Sequence, residues 1–200
     1  MWKEIGIIVG LAICMLAITK LGRRNHDESR SAKLMKKYKT LTPELLASTP
    51  DEELVEAVVA CVLAEASESR RPDPAYTLSK WPQPYTVVYS IWAVCKEMAH
   101  GTYAALLRTA TREMVEPAID GLPVAGAPDT AAALKAVVEA HKEGEGVEEA
   151  EAAFHQAVET ECPLSLLVAY IRDHVAELTG TEPAAPSDAE ALPQETADGE

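Results

Sequence analysis

Glu151, His155 and Glu159 recur every fourth residue, so on a helix they share one face and bring three metal-ligand types together. His174, in the next segment, would supply a fourth donor. A single histidine among glutamates is far more often an ordinary surface residue, and no metal or other cofactor is expected. A second grouping is made of carboxylates alone: Asp51, Glu52, Glu53 and Glu56 early in the body, and Glu143, Glu145, Glu148, Glu149, Glu151, Glu159 and Glu161 late in it. Carboxylates held rigidly at phosphate-like spacing can occupy the basic face of a partner protein, with Coulomb attraction speeding association and salt weakening it. The same residues suit a solvated face that keeps an alanine-rich bundle soluble, and acids in a first helical turn suit the helix dipole.

Trp81, Tyr85, Tyr89 and Trp92 fall at i, i+4, i+8 and i+11 and read as one aromatic stripe, with Tyr103 just beyond. Such a stripe packs a core more often than it lines a groove. A groove, if there is one, is expected beside the proline-rich loop at the Trp81 end. Cys95 and His100 lie across a helix end with no third group to orient them, so they make no nucleophile–base pair. Neither a glycine-rich phosphate loop nor a serine elbow is present. No catalytic residue is assigned, and the expectation is a binding protein and not an enzyme. The alternative is a small-molecule-binding or metal-dependent helical bundle using the stripe or the His155 cluster.

The charge is divided along the chain. Residues 1–39 hold nine of the 18 Lys and Arg and three of the 32 Asp and Glu, a net +6; residues 40–200 carry −20. The uncharged run Ile5 to Thr19 opens the basic part, and Leu21 and Gly22 extend it past Lys20. At about 1.5 Å per residue it is slightly short for a hydrocarbon core of about 30 Å. Trp2 at one interface and a snorkelling Lys20 at the other make up the difference. A cleavable signal peptide is the rival, but Met1-Trp-Lys-Glu4 has almost no net positive charge and no small-x-small site precedes the basic stretch. The bases that follow place the C-terminal body in the cytoplasm and the N-terminus outside, as a single-pass protein of the cell membrane. Residues 1–22 are thus expected as the membrane anchor and 23–39 as a basic juxtamembrane segment touching anionic headgroups. Direct nucleic-acid binding is not expected, since aromatics are not interleaved with these bases.

Residues 40–180 are expected to form one acidic helical domain and 181–200 a disordered acidic tail, rich in Ala and Pro with six acids and no base. The body is predicted to be all-α, a compact bundle of about six to seven helices behind the transmembrane helix, because β-branched alternation is nearly absent. Thr42-Pro43 and Thr49-Pro50 read as helix starts, the second with capping-box spacing. Arg70 to Pro84 reads as a loop. Further helices are predicted over residues 84–99, 102–113, 116–120, 128–141, 147–160 and 163–178. Cys61, Cys95 and Cys162 sit in or beside apolar helical patterns and read as free thiols of a reducing compartment.

The segments Leu41–Val62, Leu78–Val137 and Phe154–Leu178 resemble a bacterial family of helical domains of unknown function that includes a DNA-mimic protein. The resemblance lies in the entry helix after Leu41-Thr-Pro, the helix running into Met98-Ala-His-Gly-Thr-Tyr103, the corner Val124-Ala-Gly-Ala127, and the closing run Leu166–His174. Of the family's Asn-Gly-Gly-Phe-like turn, Gly101 is the glycine that carries over. The resemblance implies a helical fold and a carboxylate surface that engages a basic protein, such as a DNA-binding protein.

Overall fold

Proline sets many of the helix starts, because its missing N–H falls among the groups that have no intrahelical acceptor there. In the structure, a computed structural model that describes residues 30–70 and 72–181, residues 30–37 are helical (α1). They are followed by α2 (Pro43–Ser48), α3 (Asp51–Glu68), α4 (Pro74–Leu78), α5 (Gln83–His100) and α6 (Tyr103–Leu106). A 3-10 turn (Ala110–Met114) then leads into α7 (Val115–Val124), α8 (Pro128–Glu143), α9 (Val147–Glu161), α10 (Pro163–Asp173) and α11 (Val175–Thr179). The described residues contain no strand, so the all-α expectation holds, but they form eleven α-helices and not the six to seven expected, several of them short.

Several elements differ from the sequence reading, each for a local reason. Thr42 caps α2 through its hydroxyl, which accepts from Leu45 N–H at 3.2 Å. Thr49 does not cap α3: its hydroxyl donates back to Leu45 C=O at 2.7 Å, and Pro50 takes the cap position. The stretch expected as a loop contains α4, whose cap is the Asp73 carboxylate accepting from Ala75 N–H. The helix expected over 102–113 breaks after Leu106, and that over 163–178 breaks at His174. Conversely, α7 runs through Pro117, Gly121 and Pro123, residues whose types predict an interruption. Pro117 falls in its first turn, where a missing N–H costs little, whereas Pro123 lies inside the last turn and has no N–H to donate to the Ile119 carbonyl. Gly121 lies where α7 crosses α5, and a Cβ there would sit 3.4 Å from Val87 Cγ1.

The long helix α5 is the centre, packed against α3, α7, α10 and the 3-10 turn. Val88, Ile91 and Met98 of α5 are fully buried, as are Leu54, Val58 and Val62 of α3 and Leu134, Leu167 and Ile171 of the later helices. The hairpin α8–α9 turns on Gly144 and Gly146, at φ 78° and 65°. Those are left-handed conformations that glycine adopts without strain. The hairpin joins the body through α8, which packs on α7 and α6. Helix α9 is the outer layer, and Phe154 is its one buried side chain.

The largest departure concerns the basic segment. Tyr38 and Leu41 are buried in the core (0% and 5% exposed), and Leu34 and Met35 pack partly against it. From residue 30 onward the segment expected to stand apart as a juxtamembrane collar is part of the folded domain, which therefore begins ahead of residue 40. The expected membrane helix, residues 1–22, and the tail from 182 lie outside the described residues. No helix among the described residues is long and apolar enough to cross a membrane.

Candidate functional site

Most of the early carboxylates are paired with the chain's own bases. Arg30 pairs with Glu56 at 2.5 Å, Lys37 with Glu53 at 3.1 Å and Lys39 with Glu68 at 2.7 Å, so α1 lies against α3 with its cations on acids. The partner beside Lys39, chiefly through its hydrogen bond, holds the ammonium above its ordinary value; Tyr38 and Glu53 do the same for Lys37. Asp51 pairs with Arg172 of α10 at 2.8 Å. The same guanidinium donates to the Leu46 and Thr49 carbonyls at the α2–α3 corner. Of the four acids predicted there to meet a partner, Glu52 is exposed and has no ion-pair partner among the described residues.

The late carboxylates divide into two groups. Glu151 accepts from Tyr103 N–H at 2.7 Å and so serves the N-terminus of α6. Glu161 accepts from the backbone N–H groups of Asp129 and Thr130, at 3.1 and 2.7 Å, capping α8 where Ala127 has no side chain to do so. Burial pushes the Glu161 carboxyl up, but the hydrogen bonds from Thr130 and Asp129 outweigh it and hold it below its ordinary value. Glu143, Glu145, Glu148, Glu149 and Glu159 are exposed and meet no cation or hydrogen-bond donor among the described residues. The first four follow one another around the α8–α9 turn.

The three-ligand grouping on α9 is dispersed by these contacts. Glu151 is turned to Tyr103, and His155 is exposed beside Phe154, with ring centroids 5.9 Å apart. His174 stacks on Tyr170 at 4.1 Å, its Nδ1 2.8 Å from the Tyr170 carbonyl. No group of three His, Cys, Asp or Glu among the described residues is placed to hold a metal ion. Burial pushes the Cys95 thiol up to about 12 and the Cys61 thiol up to about 11, so both are inert core thiols. His100 is exposed at the end of α5. Cys162, expected beside an apolar pattern, is instead exposed at the α9–α10 corner, at φ 50°.

The aromatic residues separate as well. Trp81 precedes α5 and packs edge-on against Tyr85 at 4.6 Å. Tyr85 is buried and donates its hydroxyl to the Leu178 carbonyl. Tyr103 is buried edge-on to His141. Tyr89 is buried too, its phenol pushed up to about 12 by burial and then by Asp73, and it borders a pocket of only about 40 Å³. Trp92 is different: half-buried, with Lys96 Nζ 4.6 Å from its ring centre, it lines two clefts at once. One, about 300 Å³, lies between α1, α3 and α5, with Arg30, Met35, Leu63 and Lys96 on its walls. The other, about 510 Å³, lies between α3 and α10, bounded by Asp51, Glu52, Val55, Leu164 and Val168. Glu56 and Trp92 belong to both. Trp81, at the end of the stripe expected to carry a groove, packs against Tyr85, while these two clefts border Trp92 at the opposite end.

Sequence reasoning misses this cleft because its walls come from three segments far apart in the chain. The sequence carries no signal for it; the fold marks it through Leu164, 40% exposed next to Pro163 and one of two large apolar side chains left open among the described residues. The chain matches no family model, no curated protein and no solved structure.

Proposed function

We propose that the protein is a membrane-tethered acidic binding module that engages a basic cytoplasmic protein. The single observation that supports this best is the uneven treatment of its acids. On α3 most of the carboxylates are neutralised internally, whereas Glu143, Glu145, Glu148, Glu149 and Glu159 are left exposed without a cation among the described residues. Like charges gathered on one turn repel and slightly weaken the fold, so they are better suited to an incoming cationic surface than to holding the fold together. The resemblance to the helical family with a DNA-mimic member points the same way, and so do the apolar run Ile5 to Thr19 and the bases after it, which would hold the module at a membrane.

The test is binding of the full chain to a lysine-rich model protein across a salt series. A steep loss of affinity with salt is expected, and a further loss of about tenfold in a variant with Glu143, Glu145, Glu148 and Glu149 changed to Gln. Binding that ignores those four changes would remove the α8–α9 turn from consideration. Topology is tested separately by protease protection in intact cells: digestion of the body from outside would overturn the cytoplasmic placement.

A further inference from the structure

The cleft between α3 and α10 has a defined chemistry. Its floor and one wall are apolar, made by Trp92, Val55, Val168 and the exposed Leu164. Its rim carries Asp51, Glu52 and Glu56, and no base is among its lining residues. Asp51 and Glu56 are already paired with Arg172 and Arg30, so Glu52 is the rim carboxylate with no ion-pair partner among the described residues. An apolar slot beside carboxylates fits a side chain that is apolar at its tip and flanked by positive charge. The neighbouring face of α3 shows what such an occupant looks like, for α1 packs on it and walls the adjoining cleft. α1 directs Leu34 and Met35 into the core's edge and sets Arg30 and Lys37 on Glu56 and Glu53 of α3.

We infer that the α3–α10 cleft is a docking site for a basic amphipathic helix of a partner protein, seated beside α1 and reading the same face of α3. Two apolar residues one turn apart enter between Trp92 and Leu164, and a Lys or Arg on the flanking turn meets Glu52. A cavity of about 510 Å³ holds two large aliphatic side chains with room for their stems. Exposure of Leu164 has a purpose in this arrangement, since it becomes the outer wall of the slot. This site is separate from the α8–α9 turn and does not depend on it.

The experiment uses the full chain in nanodiscs of zwitterionic lipid, so that a cationic probe has no anionic bilayer to bind. The probe is a fluorescent designed helix of Leu and Lys, about four turns long, with a Leu–Glu counterpart as control, followed by anisotropy. Saturable binding of the Leu–Lys helix alone is expected, weakened about tenfold or more by Leu164→Asp and by Glu52→Lys. The variant Glu148→Gln/Glu149→Gln should change it less than twofold. No saturable binding, or binding indifferent to Leu164→Asp and Glu52→Lys, overturns the proposal. Binding lost with Glu148→Gln/Glu149→Gln but kept with Leu164→Asp would also overturn it, while favouring the α8–α9 surface. A further variant, with Leu21, Arg23 and Arg24 changed to Ser, settles the remaining rival. If the probe binds that variant and not the parent chain, the slot belongs to the chain's own N-terminal segment, and a partner helix is excluded.

Discussion

Helices α3 and α9 are both acidic, each opens with glutamates in its first turn, and from composition they look interchangeable. In the fold they behave as opposites. α3 is sunk into the core along most of its length, and acids on its rim are met by Arg30, Lys37, Lys39 and Arg172. α9 lies on the outside, buries Phe154, and turns Glu151 and Glu161 to the ends of other helices while Glu148, Glu149 and Glu159 face water. Of the paired acids, Glu53 and Glu56 are partly buried and need compensation that a carboxylate in water does not, whereas Asp51 and Glu68 are exposed and are paired because a base of another segment lies beside them. Negative charge thus reports a partner only after the internal cations have been assigned.

The difference is broken most severely by detaching α1. Tyr38 is fully buried and its hydroxyl lies 3.4 Å from that of Thr49, while its neighbours carry the cations that cover α3. Tyr38→Ala is expected to cost about 3–5 kcal/mol, the range for removing a buried aromatic, read by urea denaturation. It should also uncover Glu53, Glu56 and Glu68, so that the surviving native protein binds a cationic probe more tightly at low salt. Unchanged stability would mean that α1 is held by its ion pairs alone.

Arg172 tests the other clamp on α3. It carries the charge of Asp51 and also supplies donors to the Leu46 and Thr49 carbonyls at the α2–α3 corner. Arg172→Ala leaves those carbonyls without this donor, for a loss of about 2–3 kcal/mol. Arg172→Lys should recover little, since one ammonium cannot reproduce the planar fork that reaches three acceptors. Asp51→Asn should be mild by comparison, which would show that the arginine is retained for the corner and less for the charge.

On the α9 side, Glu161 offers a pH test. Glu161→Ala removes the cap of α8 and should cost about 1 kcal/mol near neutral pH. The folded carboxyl lies below its ordinary value of 4.5. Its contribution is therefore fully present above that value and fades as pH falls through the folded one. Wild type and variant should accordingly differ most above about pH 5 and converge in acid. A difference that grows on acidification would contradict the capping role.

How much of this is readable in the sequence follows from range. Helix starts at Thr42-Pro43, Pro128 and Pro163 are legible because a cap and a proline are local signals. The cap expected at Thr49 fails because its hydroxyl finds the Leu45 carbonyl of the preceding turn, a competition that spacing does not resolve. The pairing of α1 with α3 joins residues 16 to 29 apart, and Arg172 reaches Asp51 across 121 positions. No periodicity carries that information, so acids with internal partners look like a free surface. The aromatic stripe misleads for a related reason: Trp81 lies outside α5, and a helical wheel cannot tell a stripe on one helix from a ring packed against its end.

The smallest expected effect separates the two helices by its sign. Glu56 meets Arg30 and is partly buried, so Glu56→Gln should destabilise by on the order of 0.5 kcal/mol, shrinking as salt rises. Glu148 and Glu149 meet no cation among the described residues and stand near Glu145, so their change to Gln relieves repulsion. The double variant should be neutral or slightly stabilised, by a few tenths of a kcal/mol at low salt, and its binding to the lysine-rich protein should weaken. The two substitutions alter net charge in the same direction, so a global charge effect would move both stabilities alike. Opposite signs in matched denaturation curves would tie the effect to local compensation. Equal shifts would mean that α3 and α9 differ in burial alone, and the α8–α9 turn would lose its claim as the partner-facing surface.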